Sequence, residues 1–225
     1  MIYLTGDTHG ELDIHKLGNS EFIRQKDMSK SDYVIILGDF GLVWNDRKSE
    51  RYWLNWLNER NFTTLFVDGN HENFDRLRQY KTEEMFNGIV RRINDSVFHL
   101  ERGQVLDIDG NNIFIMGGAR SIDKELRIEG VSWWRDEIPS LDEMNRGIEA
   151  LERVQFKVDY VLTHCAPYSI HNMITNDNKK DPIISYFEYI MSVLEFKRWY
   201  FGHYHIDKII NDKFIAMYDK IMPLY

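Results

Sequence analysis

The chain has 225 residues, of which 43% are hydrophobic, and its formal net charge is −8. This length supports one complete hydrophobic core, and the composition excludes a mainly disordered chain. The acidic balance argues against a broad binding surface for duplex nucleic acid, although bound cations would still admit a small phosphorylated ligand. The single cysteine, Cys165, excludes an intramolecular disulfide and a cysteine-rich zinc site, and we expect it to be buried and inert.

The N-terminus begins with a short apolar run that leads directly into a polar motif. It lacks the basic segment and the long apolar run of a secretion signal. No stretch of the chain reaches the length of a transmembrane helix. We therefore expect a soluble, cytoplasmic protein that has no membrane partner.

Apolar runs and turn signals predict strands and helices that alternate along the chain. Residues 2–4, 33–37, 64–67 and 160–162 are typical of buried strands, and a polar cluster follows each of them. Hairpins are predicted where 105–108 and 113–116 flank 109–111, and where 206–210 and 214–217 flank 211–212. Helices are predicted over 51–60, 73–80 and 184–194, and from Ser140, where Glu143 completes a capping box.

This mixture of crossover helices and hairpins predicts an α/β fold, with mixed sheets covered by helices in one domain over residues 1–225. The longest irregular segment is 117–139, and long loops in compact domains often carry function. We expect Arg120 in this segment to face a ligand. Trp133 and Trp134 can either stack on the ring of a ligand or pack the loop.

The first polar clusters offer carboxylates and an imidazole. Asp7 and His9 are separated by one residue, so both can hold one cation if strand geometry persists that far. Asp39 follows the second apolar run, where its two oxygens can bridge two cations. Taken alone, each pattern is more typical of a turn or a helix N-cap.

The third cluster is more specific. Asn70 offers a carbonyl oxygen to a metal ion, and His71 can remain off the metal and donate a proton. The same residues also fit a helix start, with Asn70 as the N-cap and Glu72 in the first turn. Both readings can hold together.

Histidines supply the remaining ligand types. His164 follows the strand at 160–162, and His203 and His205 alternate, so one strand end can present both imidazoles. Independent turns would not supply this ordered set of ligand types, each after an apolar strand. Together they predict a site for a pair of divalent cations of the kind that attack a phosphate ester.

The ordered series resembles the calcineurin-like metallophosphoesterase superfamily across residues 6–205. The matching motifs are Gly6-Asp7-x-His9-Gly10, Gly38-Asp39, Gly69-Asn70-His71-Glu72, His164 and Gly202-His203-x-His205. The resemblance implies a two-sheet sandwich flanked by helices, with a binuclear metal site at the strand ends. Segment 117–139 is similar to a loop of small bacterial and phage members.

The resemblance also implies a role for each matching residue. Asp7, His9, Asp39 and His205 would hold a first cation, and Asp39, Asn70, His164 and His203 a second, with Asp39 bridging. His71 would be the general acid. Asn70 and Arg120 are expected to contact the substrate.

The second motif departs from two branches of the superfamily. Ser/Thr protein phosphatases carry a further Asp and an Arg after Gly-Asp, and purple acid phosphatases place a Tyr there. Neither pattern follows Asp39, where Phe40 and Gly41 stand instead. The usual carboxylate partner of His71 and one phosphate-binding Arg are therefore missing from this motif.

We expect a metallophosphoesterase that hydrolyses a small phosphate monoester or diester, with a nucleotide as one candidate, through a bridging hydroxide. The mixed nitrogen and oxygen ligands favour Mn²⁺, with Fe, Zn, Ni or Co as alternatives. A non-catalytic protein-interaction scaffold on the same fold and a phosphoprotein phosphatase are the competing hypotheses. The filled ligand positions weigh against the first, and the departures after Asp39 weigh against the second.

Overall fold

The structure is a computed structural model that describes all residues from 1 to 225. Its thirteen strands, numbered in chain order, form two sheets. The seven-stranded sheet contains, in spatial order, β13 (Met222–Pro223), β1 (Ile2–Thr5), β2 (Tyr33–Leu37), β3 (Thr63–Val67), β6 (Val97–Leu100), β5 (Gly88–Arg92) and β4 (Thr82–Met85). The six-stranded sheet contains β11 (Lys208–Ile210), β12 (Phe214–Ala216), β10 (Arg198–Phe201), β9 (Tyr160–Thr163), β8 (Asn111–Met116) and β7 (Gln104–Ile108).

The strands that precede the polar clusters run parallel to one another. In the seven-stranded sheet β1 pairs with β2 and β2 with β3, and in the six-stranded sheet β9 pairs with β10, all in parallel. The carboxyl ends of parallel neighbours lie at the same edge of a sheet, which is where ligands bind in open α/β sheets. This topology gathers the polar clusters at the carboxyl edges of the two sheets.

Five helices cover the outer faces of the sheets. They are α1 (Lys48–Asn58), α2 (Phe74–Leu77), α3 (Leu141–Arg153), α4 (Tyr168–Thr175) and α5 (Pro182–Val193). Leu65 and Leu162 belong to the apolar cluster between the two sheets. Leu57 of α1 packs outside the first sheet, and Phe187 of α5 packs outside the second. None of these helices combines the length and the apolar character that crossing a membrane requires.

The predicted two-sheet sandwich flanked by helices is confirmed, as are the four buried strands. Because both faces of β2 are covered, the strand is an unbroken apolar run without alternation. The predicted hairpins are β7–β8 and β11–β12. Ser140 and Glu143 form the capping box that begins α3. Cys165 is buried against the second sheet, and this burial raises the pKa of its thiol.

Two local predictions were wrong. The helix predicted over 73–80 is a single turn, Phe74–Leu77, because the chain leaves it to enter β4. Asn73, and not Asn70, is its N-cap and accepts a hydrogen bond from the backbone N–H of Arg76 at 3.0 Å. The hairpin of β4 and β5 was not predicted, since these strands at the end of the sheet carry charged residues.

Candidate metal centre

The structure brings all seven predicted metal ligands to the carboxyl edges of the two sheets. Asp7 and His9 follow β1, Asp39 follows β2, Asn70 follows β3, His164 follows β9, and His203 and His205 follow β10. Neighbouring members approach closely: His205 Nε2 lies 3.2 Å from Asp7 Oδ2, and His164 Nε2 lies 3.1 Å from Asn70 Oδ1. Residues far apart in sequence therefore form one polar cluster.

The extended backbone that was assumed for the pair Asp7 and His9 does not reach these residues. β1 ends at Thr5, and His9 has a φ of 44°. His203 and His205 likewise lie beyond the end of β10, with φ values of 68° and 49°. Left-handed backbone at non-glycine residues costs on the order of 1–3 kcal/mol, and such strain clusters at functional sites. Left-handed turns, rather than strand alternation, therefore orient these imidazoles.

One group of ligand atoms surrounds a carboxylate oxygen of Asp7. The Asp7 side chain is fully buried, and its Oδ2 atom makes no hydrogen bond. His205 Nε2 lies 3.2 Å from this oxygen, and His9 Nε2 lies 4.0 Å from it. A buried, charged oxygen without a partner is costly unless a cation neutralises it. The group Asp7, His9 and His205 thus fits a metal ion.

A second group centres on His164, which is fully buried. Its Nδ1 atom faces the carbonyl oxygen of Leu37 at 2.8 Å, a bond that requires a proton on Nδ1. The Nε2 lone pair then points to Asn70 Oδ1 at 3.1 Å and Asp39 Oδ1 at 3.4 Å. Three acceptors cannot face one another stably, so a proton or a cation is needed between them.

Asp39 lies between the two groups. Its Oδ2 atom is 3.5 Å from His9 Nε2, and its Oδ1 atom is 3.4 Å from His164 Nε2. The backbone N–H of His71 donates to Oδ1 at 2.7 Å, which fixes the carboxylate. Asp7, Asp39 and His164 also present ligand atoms within 4.8 Å of one another. The arrangement suits two neighbouring cations that share Asp39.

Electrostatics in this cluster favour positive charge. Burial alone would lower the pKa of His164, but the Asp39 and Asp7 carboxylates outweigh it and raise that pKa to about 10. Burial likewise opposes protonation of His9, yet hydrogen bonding and charge from Asp39, with Asp13 and Asp7, raise its pKa to about 9. These protons occupy positions where a cation would bind, so cation binding must expel them.

His203 differs from the other histidines of the cluster. Its ring centroid lies 5.0 Å from that of His164, and its backbone N–H donates to Asp7 Oδ1 at 3.0 Å. Burial and the neighbouring His164 lower the pKa of His203 to about 3. The imidazole is therefore neutral and has a lone pair available for a metal ion.

His71 lies beside the cluster and contacts Arg127 rather than a carboxylate. Arg127 Nη1 is 2.8 Å from His71 Nδ1, and Arg127 also donates to Asp123 and to the carbonyl oxygen of Ser132. Burial, together with the charge of Arg127, lowers the pKa of His71 despite the opposing effect of Asp39. The long loop thus places the guanidinium of Arg127, and not a carboxylate, beside His71.

Arg120 is not brought to the metal ligands. It lines a cavity of about 560 Å³ between segment 117–139 and the start of α5, together with Lys124, Trp133 and Lys180. Its neighbour Ser121 does reach the cluster, because Asn70 Nδ2 donates to Ser121 Oγ at 3.1 Å. Trp134 packs the loop: it is buried, and its Nε1 donates to Asp75 at 2.8 Å.

Two buried acids behind the cluster were not predicted. The carboxylate of Glu72 accepts the backbone N–H groups of Phe40 and Gly41 at 2.7 and 3.3 Å, and burial beside Asp39 raises its pKa to about 8. Asp68 accepts from Arg102 at 2.8 Å, in a pair that is buried on both sides. Glu72 was visible in the third motif, whereas nothing in the sequence links Asp68 to Arg102.

A family model for calcineurin-like phosphoesterases matches residues 1–207. No curated protein matches the chain. The matched region contains all seven predicted metal ligands and His71.

Proposed function

The chain belongs to the calcineurin-like phosphoesterase family, and from this we propose that it hydrolyses a phosphate ester with a binuclear metal centre. Membership implies hydrolase activity that depends on metal ions, and the chain offers groups of acidic and histidine ligands for them. Mixed nitrogen and oxygen ligands without thiolate suit Mn²⁺, with Fe, Zn, Ni or Co as alternatives.

The observation that carries this proposal is the position of Asp39. Its two oxygens lie 3.5 Å from His9 and 3.4 Å from His164, on opposite sides of the cluster. A carboxylate with several lone pairs is suited to bridging two cations. The Asp7 oxygen that lacks a hydrogen-bond partner would be a further metal ligand. So would the acceptor atoms that face one another around His164.

Two divalent cations held here would lower the pKa of a bound water and offset the charge on the phosphoryl oxygens. The backbone N–H of His71 donates a hydrogen bond to Asp39, and this bond fixes the position of His71 beside the cluster. We propose that His71 protonates the leaving oxygen. An anionic phosphate beside this ring would counter the effect of Arg127 and raise the pKa of His71, as proton donation requires.

The substrate we propose is small and phosphorylated, with nucleotides as the first class to test. Arg127, which contacts the His71 ring, is suited to bind a phosphate oxygen in place of the Arg missing after Asp39. The cavity beside Ser121 is lined by Arg120, Lys124 and the Trp133 ring, which supports an anionic or aromatic extension of the substrate. Arg120 would then contact the extension and not the reacting phosphate.

The test is turnover by protein that has been stripped of metal and reloaded with Mn²⁺. The panel comprises a chromogenic monoester, a chromogenic diester, cyclic nucleotides, dinucleotides, single-stranded oligonucleotides and a phosphopeptide. We expect hydrolysis of at least one ester and a loss of at least about 100-fold in Asp39→Ala. Asp212→Ala, which changes an exposed aspartate, is the matched control and should match wild type.

Two outcomes would contradict the proposal. Rates like those of wild type in metal-loaded Asp39→Ala would show that this carboxylate holds no catalytic cation. Cation binding without turnover on any substrate would support the non-catalytic scaffold instead. Selective hydrolysis of the phosphopeptide would favour a phosphoprotein phosphatase.

A further inference from the structure

The C-terminal segment contacts the candidate metal centre although it lies beyond residue 207, where the family match ends. The backbone N–H of Tyr218 donates to Asp207 at 2.9 Å, and the same carboxylate accepts from the backbones of Asp219 and Lys220. Asp207 is two residues after the predicted ligand His205. The segment is therefore fixed directly against the last ligand motif.

The carbonyl oxygen of Tyr218 is fixed from the other side by the first ligand motif. It accepts from the backbone N–H of Gly6 at 3.2 Å and from Lys16 Nζ at 2.6 Å. Lys16 is buried, and its ammonium also donates to the carbonyl oxygen of Asp7 at 2.7 Å. Lys16 thus connects the backbone of the predicted ligand Asp7 to the backbone of Tyr218. These bonds fix the backbone from which the Tyr218 side chain extends.

The Tyr218 side chain contacts one predicted ligand of the first cation directly and a second one through Asp13. Its ring stacks on the His205 ring, with centroids 4.7 Å apart and planes 15° apart. Its hydroxyl donates to Asp13 Oδ2 at 3.4 Å, and the same oxygen lies 3.1 Å from His9 Nδ1. A proton on His9 Nδ1, held by Asp13, leaves Nε2 free for a metal ion.

Besides Tyr218, the His205 ring has an edge-to-face contact with the His9 ring, with centroids 4.8 Å apart, and it remains half exposed. Its side chain is 50% exposed, whereas Asp7 is fully buried and His9 is 18% exposed. An exposed imidazole can rotate away from the 3.2 Å approach to Asp7, and each ring rotation lost on binding lowers affinity. The stacked phenol limits this rotation before the cation arrives.

We infer that Tyr218 is a positioning residue for the first cation, which Asp7, His9, Asp39 and His205 are proposed to hold. It acts on His205 by stacking and on His9 through Asp13. The second cation would be held by Asp39, Asn70, His164 and His203, and no hydrogen bond or ring contact joins these residues to Tyr218. The inference rests on the proposed function, because it assumes a centre with two cations.

The test measures Mn²⁺ binding to chelator-treated protein by titration calorimetry. Wild type is expected to bind two cations. In Tyr218→Ala, one cation should keep its affinity and the other should bind about tenfold more weakly or worse. Tyr218→Phe keeps the stacked ring and should lose less. Tyr189→Ala, on the exposed face of α5, is the matched control.

A double-mutant cycle separates positioning from a general structural role. Because the hydroxyl acts through Asp13, the effect of Tyr218→Phe should vanish in an Asp13→Ala background. The melting temperature of the cation-free protein should be the same in Tyr218→Phe and wild type. Neither substitution of this cycle removes the stacked ring, so the cycle still tests the path through Asp13 if Tyr218→Ala does not fold.

Each alternative result has a distinct meaning. Two cations bound with unchanged affinity in Tyr218→Ala would overturn the inference, as would equal weakening of both cations with a lower melting temperature. Additive effects of Tyr218→Phe and Asp13→Ala would overturn the path through Asp13. A wild-type protein that binds two cations but hydrolyses no ester would refute the proposed activity and leave this inference intact. A wild-type protein that binds none would refute both.

Discussion

The guanidinium of Arg127 lies across both ring nitrogens of His71, with Nη1 2.8 Å from Nδ1 and Nη2 3.3 Å from Nε2. A guanidinium only donates, and a neutral imidazole has one accepting nitrogen, so this contact favours the neutral ring. Asp123 holds Arg127 in place at 2.8 Å. The contact ties segment 117–139 to His71, with Arg127 directly after a short 3-10 helical turn at Lys124–Leu126.

Replacing Arg127 with Met should raise the pKa of His71, because the neighbouring positive charge lowers it. An NMR titration of the His71 ring in cation-free protein would measure the change. In the metal-loaded enzyme, the same variant should raise KM for the ester several-fold, since the phosphate loses a charged partner. Arg24→Met, at an exposed site, is the control. An unchanged or lower pKa would contradict the contact described above.

Mn²⁺ affinity should rise steeply with pH between 6 and 8. Below pH 8 the cation-free protein keeps protons on His9 and His164, whose pKa values are raised to about 9 and 10. Each cation must expel a proton, so affinity can rise by up to about a hundredfold per pH unit for the pair. Calorimetry in two buffers with different ionisation enthalpies would count the released protons. Release of none would show that these imidazoles do not bind the cations.

Removing Arg102 should destabilise the fold without touching a metal ligand. Arg102 and Asp68 are both buried, and Arg102 holds the pKa of Asp68 well below its usual range against the effect of burial. Arg102→Met removes the arginine partner of the buried Asp68 carboxylate and leaves it His99, whose Nε2 lies 2.9 Å from Oδ1. We expect the loss of the ion pair to cost up to about 3–5 kcal/mol of unfolding free energy. Urea unfolding of cation-free protein would measure it, with the exposed Arg146→Met as control.

A second variant tests the cause of that loss. Adding Asp68→Asn to Arg102→Met removes the buried charge and should recover a large part of the stability. If the double variant is as unstable as the single one, lost packing of the Arg102 side chain explains the effect instead. The backbone carbonyl oxygen of Asp68 accepts the backbone N–H of Gly118, so a shift of the chain at Asp68 should also loosen segment 117–139.

The sequence predicted the ligand cluster well because each ligand follows a strand. Strands of this fold end at a common edge, so the order of apolar run and polar residue was enough to bring Asp39 and His164 together. The backbone conformation at His9 and His205 was predicted wrongly. Extended backbone was assumed at both residues, whereas both have positive φ angles.

The path of segment 117–139 was beyond prediction from sequence. Segment 117–139 has no periodicity, and its path depends on tertiary contacts such as Trp134 against Trp44 and its hydrogen bond to Asp75. These contacts turn Arg127 toward His71 and leave Arg120 in the cavity near α5. Without knowledge of these contacts, the sequence does not tell whether Arg120 or Arg127 lies beside His71.

The last prediction concerns the glycine that precedes Asp39. Gly38 has a φ of 100°, and a Cβ atom there would lie 2.0 Å from His164 Nδ1. Gly38→Ala must therefore displace His164 or the backbone that carries Asp39, and we expect it to abolish binding of the second cation.

Gly110 also has a positive φ, of 76°, but a Cβ atom there meets nothing within 4 Å. Gly110→Ala thus carries the same backbone strain, on the order of 1 kcal/mol, without the collision. Cation titrations and unfolding curves of both variants separate the two effects: each should lose some stability, and only Gly38→Ala should lose a cation. Retention of both cations in Gly38→Ala would contradict this prediction, because it would show that the metal centre tolerates the displacement of His164 or of Asp39.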